Sequence, residues 1–321
     1  MVSEEHFELV ENPLPEPREG DILVQSEYLT VDPYMRGRMA DRPSYADPVG
    51  IGEVMTGQAV GRVIASKSDR FSEGDWVLAS SGWQEFGVVP ASEARRLDPE
   101  AAPPSTALHV LGMPGLTAYF GLLNVIQAQA NQTIVVSGAA GAVGSTVGQI
   151  ARIKGCRTIG IAGSDEKNRW LIDDLGFTAA INYRTSDNLY QGLKPHCPDG
   201  VHGYFDNVGG PTTDAVFALL ALNARVAICG QISQYNADAP PTGPRVLWNL
   251  IVKRAIVQGF LVFDYADHYR SALQELTAWV RDGSIQYKEN IVDGFENMPQ
   301  AFLGLFNGSN TGKQLVRVTS T

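Results

Sequence analysis

The run Ile134-Val135-Val136-Ser137-Gly138-Ala139-Ala140-Gly141-Ala142-Val143-Gly144 reads as a buried strand, a glycine-rich turn and the start of a helix. A turn without side-chain bulk lets backbone amides approach a pyrophosphate, and the positive end of the following helix faces its charge. The helix is legible in Val143, Val147, Ile150, Ala151 and Lys154, which recur at helical spacing before Gly155 stops it. The turn departs from the common G-x-G-x-x-G pattern, with alanine at the second expected glycine. Taken alone it would also serve as an ordinary tight strand-to-helix connection, so its context decides.

That context is a regular alternation. Residues 157–162 read as a strand, 165–175 as a helix, 179–182 as a strand and 187–193 as a short helix. The beat continues with a strand over 204–207, a helix over 213–222, a strand over 225–229, a helix over 246–253, a last strand over 256–263 and a helix over 269–281. Six strands with crossover helices predict an α/β doubly wound parallel sheet. The near-continuous apolar runs 134–136 and 159–161 suit strands buried on both faces.

The rest of the chain is punctuated differently. Residues 1 to about 110 are rich in Pro and Gly, carry short apolar runs at 22–24, 59–64, 76–79 and 86–89, and show no long helical pattern. This predicts a mostly antiparallel β domain. The stretch from Ile291, with a helix over 298–306 and a strand over 314–318, falls outside the alternation and is expected to return to the first domain. The expected division is therefore 1–112 with 286–321 as one domain and 113–285 as the nucleotide-binding domain, which suits a chain of 321 residues.

Composition narrows the function classes. With 44% hydrophobic and 19% charged residues the chain is an ordinary globular one, and a net charge of -10 argues against a nucleic-acid partner. No apolar run approaches membrane length, and Met1-Val2-Ser3-Glu4-Glu5 lacks the pattern of a signal peptide, so a cytoplasmic enzyme without a membrane partner is expected. The cysteines Cys156, Cys197 and Cys229 are widely separated with no C-x-x-C pair, and the five histidines do not cluster. His196 and Cys197 are adjacent but have no partner ligands nearby, so no metal site is expected.

Cofactor preference is open to two readings from the second strand. Enzymes that prefer NAD place a carboxylate about twenty residues past the glycines, where it would repel a 2′-phosphate. Here the strand ends Ala162-Gly163-Ser164, with Asp165, Glu166 and Lys167 following. In one reading Ser164 caps a helix, Asp165 and Glu166 are dipole-favoured first-turn acids and Lys167 is solvated. In the other, Lys167 pairs with a 2′-phosphate.

Five separate segments carry a family resemblance: Val31-Asp32-Pro33-Tyr34-Met35-Arg36-Gly37-Arg38-Met39, Gly112-Met113-Pro114-Gly115-Leu116-Thr117-Ala118-Tyr119, Gly163-Ser164-Asp165-Glu166-Lys167, Phe205-Asp206-Asn207-Val208-Gly209-Gly210 and Gly294-Phe295-Glu296-Asn297-Met298-Pro299. The chain resembles the zinc-independent medium-chain dehydrogenase/reductases, in the branch of leukotriene B4 dehydrogenase, prostaglandin reductase and bacterial curcumin reductase. In that family extra residues usually precede the part matching Phe7-Glu8-Leu9-Val10.

The resemblance implies a GroES-like domain completed by the C-terminal segment, a Rossmann domain, NADPH in the cleft and a homodimer. It implies Gly141, Ala142, Val143 and Gly144 at the pyrophosphate, and Lys167 and Tyr183 at the 2′-phosphate. Asn207 and the run holding Cys229, Gly230, Ile232 and Tyr235 would lie near the nicotinamide, with Phe260, Leu261 and Val262 beside it and Asn310 reaching it from the other domain. Read from the residues alone, Tyr183 is equally a strand-end aromatic, Cys229 a small core residue and Asn310 a turn former beside Gly308.

A site without zinc suits hydride addition to the β-carbon of an enone or enal, whose carbonyl is the electron sink. A hydrogen-bond donor would then steady the developing enolate. Tyr235 matches the family's active-site tyrosine, with the nicotinamide ribose hydroxyl as an alternative donor and water as an alternative source of the final proton. Tyr45 resembles a substrate-contacting tyrosine, and is equally a loop aromatic that packs. The competing functions are an NADPH quinone reductase of the same superfamily and a non-catalytic NADPH-binding protein.

Overall fold

The computed structural model describes residues 2–318 apart from residues 42 and 240. The chain forms two units, one of residues 1–109 with 289–321 and one of residues 110–288. The first carries β1 (Asp21–Thr30), β2 (Ala59–Ser66), β3 (Trp76–Ala79), β4 (Phe86–Pro90) and β5 (Arg95–Arg96), with the short helix α1 (Met35–Arg38). The second carries β6 (Thr133–Ser137), β7 (Arg157–Ala162), β8 (Ala179–Asn182), β9 (Val201–Asp206), β10 (Leu220–Ile228) and β11 (Ile256–Gly259). Its helices are α2 (Met113–Phe120), α3 (Ala142–Ile153), α4 (Asp165–Arg169), α5 (Leu189–Leu193), α6 (Gly210–Phe217), α7 (Leu247–Lys253) and α8 (Tyr269–Arg281). The C-terminal stretch returns to the first unit as β12 (Glu289–Asp293), α9 (Met298–Asn307) and β13 (Lys313–Arg317).

The first unit is one sheet in the order β12-β13-β1-β2-β3-β5, with β4 also paired to β1. Its pairings are antiparallel except for β12 with β13. The long β1 buries alternate and consecutive apolar residues, Ile22, Leu23, Val24 and Leu29, because it has partners on both sides and helps to form more than one core cluster. Phe7, Trp83, Phe302 and Phe306 stack edge and face into a further part of that core, tying α9 to the sheet.

The second unit is an entirely parallel six-stranded sheet in the order β11-β10-β9-β6-β7-β8. Strand order therefore reverses between β6 and β9, and ligands of such sheets bind beyond the carboxyl ends of the strands at that switch point. Every residue of β6 is buried, which its unbroken apolar run anticipated. Helix α3 lies close against the segment leading into β8 because it presents glycine: a Cβ on Gly148 would meet the Phe177 ring at 1.8 Å.

Two expected elements are corrected. The helix expected over 213–222 stops at Phe217, and β10 begins at Leu220, before the expected start of that strand. The run from Ala218 to Leu222 is made of good helix formers, but Leu220 pairs with Val201 of β9 and Asn223 adopts φ +58° at the irregularity before Arg225, so pairing overrides propensity. The strand expected over 256–263 ends at Gly259, whose partner Ile228 is the last residue of β10. Beyond it there is no strand to pair with, and residues 262–268 form a 3-10 segment instead. A smaller difference lies in the helix expected over 165–175, which widens after Arg169 into a π turn over Trp170–Asp174.

The close approach of α3 makes a direct test. Gly148→Ala should force the Phe177 ring aside in a packed core, cost about 1–3 kcal/mol and lower the thermal midpoint by several degrees. An unchanged melting temperature would contradict this packing.

Candidate active site

The switch point is built from three backbone segments of the second unit. The first is the turn after β6. Gly138 adopts φ +58°, Gly141 donates its N–H to the Gly138 carbonyl at 3.0 Å, and α3 starts at Ala142. A Cβ on Gly144 would lie 2.4 Å from the Gly138 oxygen, so the first turn of the helix closes directly over the loop. Ala139 is buried and donates its N–H to the Ile161 carbonyl. Ala139 thus packs toward the sheet, its Cβ 3.1 Å from where a Cβ on Gly160 of β7 would lie, and the glycines let the turn close tightly on itself.

The second segment follows β9. Asn207 donates its backbone N–H to Ser137 Oγ at 3.0 Å and its side-chain Nδ2 to the Ser137 carbonyl at 2.7 Å. The third follows β10. Cys229 and Gly230 both donate N–H to the Asp206 carbonyl, Ile232 donates to the Asn207 carbonyl and Ser233 to that of Val208. Within this run the Tyr235 phenol oxygen accepts the Gln231 N–H at 3.2 Å, and a Cβ on Gly230 would meet that oxygen at 2.9 Å. Burial and the nearby Asp206 push the Cys229 thiol up to about 12, so it is not a thiolate at neutral pH.

A second cluster stands at the ends of β7 and β8. Their parallel register pairs Ala162 with Asn182, and Tyr183 donates its N–H to the Ala162 carbonyl. The Tyr183 hydroxyl end then sits over Gly163, where a Cβ would meet it at 3.1 Å. Ser164 caps α4, its Oγ accepting the Lys167 N–H at 3.2 Å. The Asp165 carboxylate accepts from Asn182 Nδ2 at 2.7 Å, and Asn182 Oδ1 accepts the Arg184 N–H. Burial, and then the neighbouring Arg184 guanidinium, hold the Lys167 ammonium below the ordinary lysine value, with Glu166 pulling the other way. Arg184 is therefore near both Lys167 and Tyr183, its guanidinium 5.8 Å from the Tyr183 ring centroid.

The remaining expected residues fall into three places. Phe260 packs edge-on against Phe205 with ring centroids 6.1 Å apart, and Val262 is buried, both just past β11. Leu261 lies between them and, in extended conformation, precedes the 3-10 segment. Tyr45 and Asn310 belong to the first unit: Tyr45 is exposed, and Asn310 Nδ2 donates to the Gly312 carbonyl at 2.8 Å. Among the described residues no group of three or more His, Cys, Asp or Glu is placed to hold a metal ion.

Ser137, Asp206, Thr213 and Arg184 were not singled out in the sequence. A polar residue closing an apolar strand, as in Val135-Val136-Ser137 and Tyr204-Phe205-Asp206, was the available signal for the first two.

A parallel-sheet domain with a tight glycine turn at its switch point, in one chain with a mostly β unit, defines a dinucleotide-binding architecture. Residues 1–97 match the family model of the N-terminal domain of oxidoreductases, and residues 142–278 that of the zinc-binding dehydrogenases. A Bacillus subtilis protein named as an NADP-dependent oxidoreductase, YfmJ, is 50% identical over 317 residues, 98% of this chain and 93% of that protein. The NADPH-dependent curcumin reductase of Escherichia coli is 44% identical over 319 residues, 98% of this chain and 92% of that protein. The crystal structure of CurA from Vibrio vulnificus in complex with NADPH superposes with a TM-score of 0.95 at 45% identity, covering 100% of this chain and 96% of that one. The chain belongs to the medium-chain dehydrogenase/reductases, in the branch of the curcumin, prostaglandin and 2-alkenal reductases.

The turn can be tested by filling it. Gly144→Ala should drive the helix start off the Gly138 oxygen and weaken NADPH binding at least about tenfold, about 1.4 kcal/mol, in a fluorescence titration. Affinity equal to the parent's would show that the turn does not approach the phosphates.

Proposed function

We propose that this protein reduces the C=C bond of α,β-unsaturated ketones and aldehydes with NADPH, adding hydride to the β-carbon without a metal. What carries the reading is Tyr235, held by the Gln231 N–H in a run that is itself bonded to the Asn207 loop at the switch point. Its support in the comparisons is the relatives' names, which include NADPH-dependent curcumin reductase and 2-alkenal reductase.

The residues fit a dinucleotide. A Cβ on Gly144 would collide with the Gly138 oxygen, so glycine there keeps the turn folded tightly under the helix start, which suits close approach of a pyrophosphate to the backbone of Gly141, Ala142, Val143 and Gly144. Lys167 and Tyr183, with Arg184 beside them, offer two cations and a phenol to a 2′-phosphate, and Asp165 is turned to Asn182. Asn207, Cys229, Gly230, Ile232, Phe260, Leu261 and Val262 line the nicotinamide half in this reading. Tyr45 is assigned to substrate and Asn310 to cofactor, as the resemblance implies. Bound NADPH supplies the hydride.

The protein's own part in the reaction is electrostatic. As the β-carbon is reduced, negative charge gathers on the carbonyl oxygen, and a preorganised donor stabilises it most where water is excluded. The Tyr235 oxygen accepts a hydrogen bond from Gln231, and a hydroxyl that accepts is a stronger donor in turn. Solvent then protonates the α-carbon.

We assign the enzyme to a homodimer and to the cytoplasm. Helix α7 exposes Leu247, Trp248, Ile251 and Val252, and the adjacent sheet-end strand β11 exposes Ile256 and Val257, a patch that a second copy would cover by pairing edge strands. Three free cysteines agree with a reducing compartment. No described helix is long and apolar enough to cross a membrane.

Product analysis tests the chemistry. The saturated carbonyl compound should form, with deuterium from C4-labelled NADPH at the β-carbon; an allylic alcohol would refute the reading. Tyr235→Phe should lower kcat by about 1–3 kcal/mol in barrier and leave NADPH affinity nearly unchanged. Lys167→Glu should cost about 1.5–3 kcal/mol in NADPH binding and narrow the preference over NADH, and equal use of both cofactors by the parent would count against the 2′-phosphate assignment. For assembly, light scattering should give a dimer at micromolar concentration, and Trp248→Lys should shift it toward monomer.

A further inference from the structure

Asp206 closes β9 with no exposed surface. Its Oδ1 accepts from Ser137 Oγ at 3.0 Å, Tyr204 OH at 2.9 Å and the backbone N–H groups of Val208 and Gly209 at 3.0 Å each. Its Oδ2 accepts from Thr213 Oγ1. None of these partners is a cation: hydroxyls and amides hold the carboxylate in the interior.

Stability is a poor reason for such a group. Burying a carboxylate is expensive, and apolar replacements of buried ionic groups are often neutral or stabilising. What an apolar residue does not do is hold backbone amides. Val208 and Gly209 are held at the point where the chain passes through Gly209 at φ +76° and Gly210 at φ +59° to enter α6.

The network reaches the site through two routes. Ser137 Oγ donates to Asp206 and accepts the Asn207 N–H, so one hydroxyl links the carboxylate to Asn207 and to the turn that begins at Gly138. The Asp206 carbonyl accepts from Cys229 and Gly230, while the carbonyls of Asn207 and Val208 accept from Ile232 and Ser233. All three segments of the switch point are thus referred to one residue.

We propose that Asp206, with Ser137 as its relay, is a positioning residue for hydride transfer: it touches neither cofactor nor substrate, and it sets Asn207 and the Tyr235 run against the nicotinamide half of the site. This rests on the reading of the site as one for NADPH and an enone. The adenosine half of the cofactor, at Lys167 and Tyr183, lies outside the network, so the two halves should respond differently to its loss.

The test uses the full-length enzyme with Asp206→Asn and Ser137→Ala. Calorimetric affinity for 2′,5′-ADP, which reports only the adenosine half, should stay within about twofold. The kcat with an enone should fall tenfold or more with little change in KM, the isotope effect from C4-deuterated NADPH should rise, and the emission of bound NADPH should shift. Because Ser137 acts through Asn207, Ser137→Ala combined with Asn207→Ala should be no slower than Asn207→Ala alone. Losses that follow 2′,5′-ADP affinity, an unaltered kcat, or additive effects in the double variant would overturn the assignment. Should Asp206→Asn fail to fold, Ser137→Ala, which leaves the Val208 and Gly209 bonds in place, carries the test. Parent enzyme that binds 2′,5′-ADP no better than 5′-AMP, or reduces no enone, would remove the underlying reading, and this inference with it.

Discussion

Parallel pairing of β6 with β9 is the constraint on which the site depends. These strands are far apart in the chain, and their register sets Ile134 against Gly203, Val135 against Tyr204 and Val136 against Phe205. Continuing one residue brings Ser137 beside Asp206, where they bond. Gly203 is part of the same requirement: a Cβ there would meet Ile126 Cγ2 and Ile134 Cδ1 at 2.6 Å. Close packing in the middle of the sheet thus sets the position of the polar groups at the carboxyl ends of its central strands, because strands that cannot slide carry their ends with them.

The first unit has a comparable pin. Lys313 opens β13, is almost completely buried, and donates to Asp32 Oδ1 at 2.6 Å and to the Val31 carbonyl at 3.0 Å. Burial pulls its ammonium below the ordinary lysine value against the opposing pull of Asp32 and Glu289. Such a pair is weak support for stability, since both charges lose water. Its evident consequence is location: it ties the returning C-terminal strand to the segment leaving β1, the start of the motif Val31-Asp32-Pro33-Tyr34-Met35-Arg36. Burial and the charge of Asp32 also push the Tyr34 phenol above its usual range, so it stays protonated.

The parts of this protein that could be read from sequence are those written in local chemistry. The glycine turn after β6 was legible because phosphate approach needs missing side chains, and Ser164 as the cap of α4 because a serine before two acids satisfies orphan amides. That Asp165 turns to Asn182, and that Arg184 stands next to Lys167, depends on β7 lying in register with β8, and no spacing in the chain encodes it.

By itself the sequence determined where apolar runs must be buried, where glycine permits a tight turn, and that the middle of the chain alternates strand with helix. Each follows from the preference of a few neighbouring residues for water, for a backbone angle or for a period. Tertiary structure decided the rest. Residues 220–222 became strand because β9 lay beside them, residues 260–263 did not because β10 had already ended, and Asp206 became the common acceptor of the switch point because the topology brought Ser137, Tyr204 and Thr213 around it. Hydrogen bonds between distant strands outweigh local propensities of a few tenths of a kcal/mol per residue, and only the folded chain supplies them.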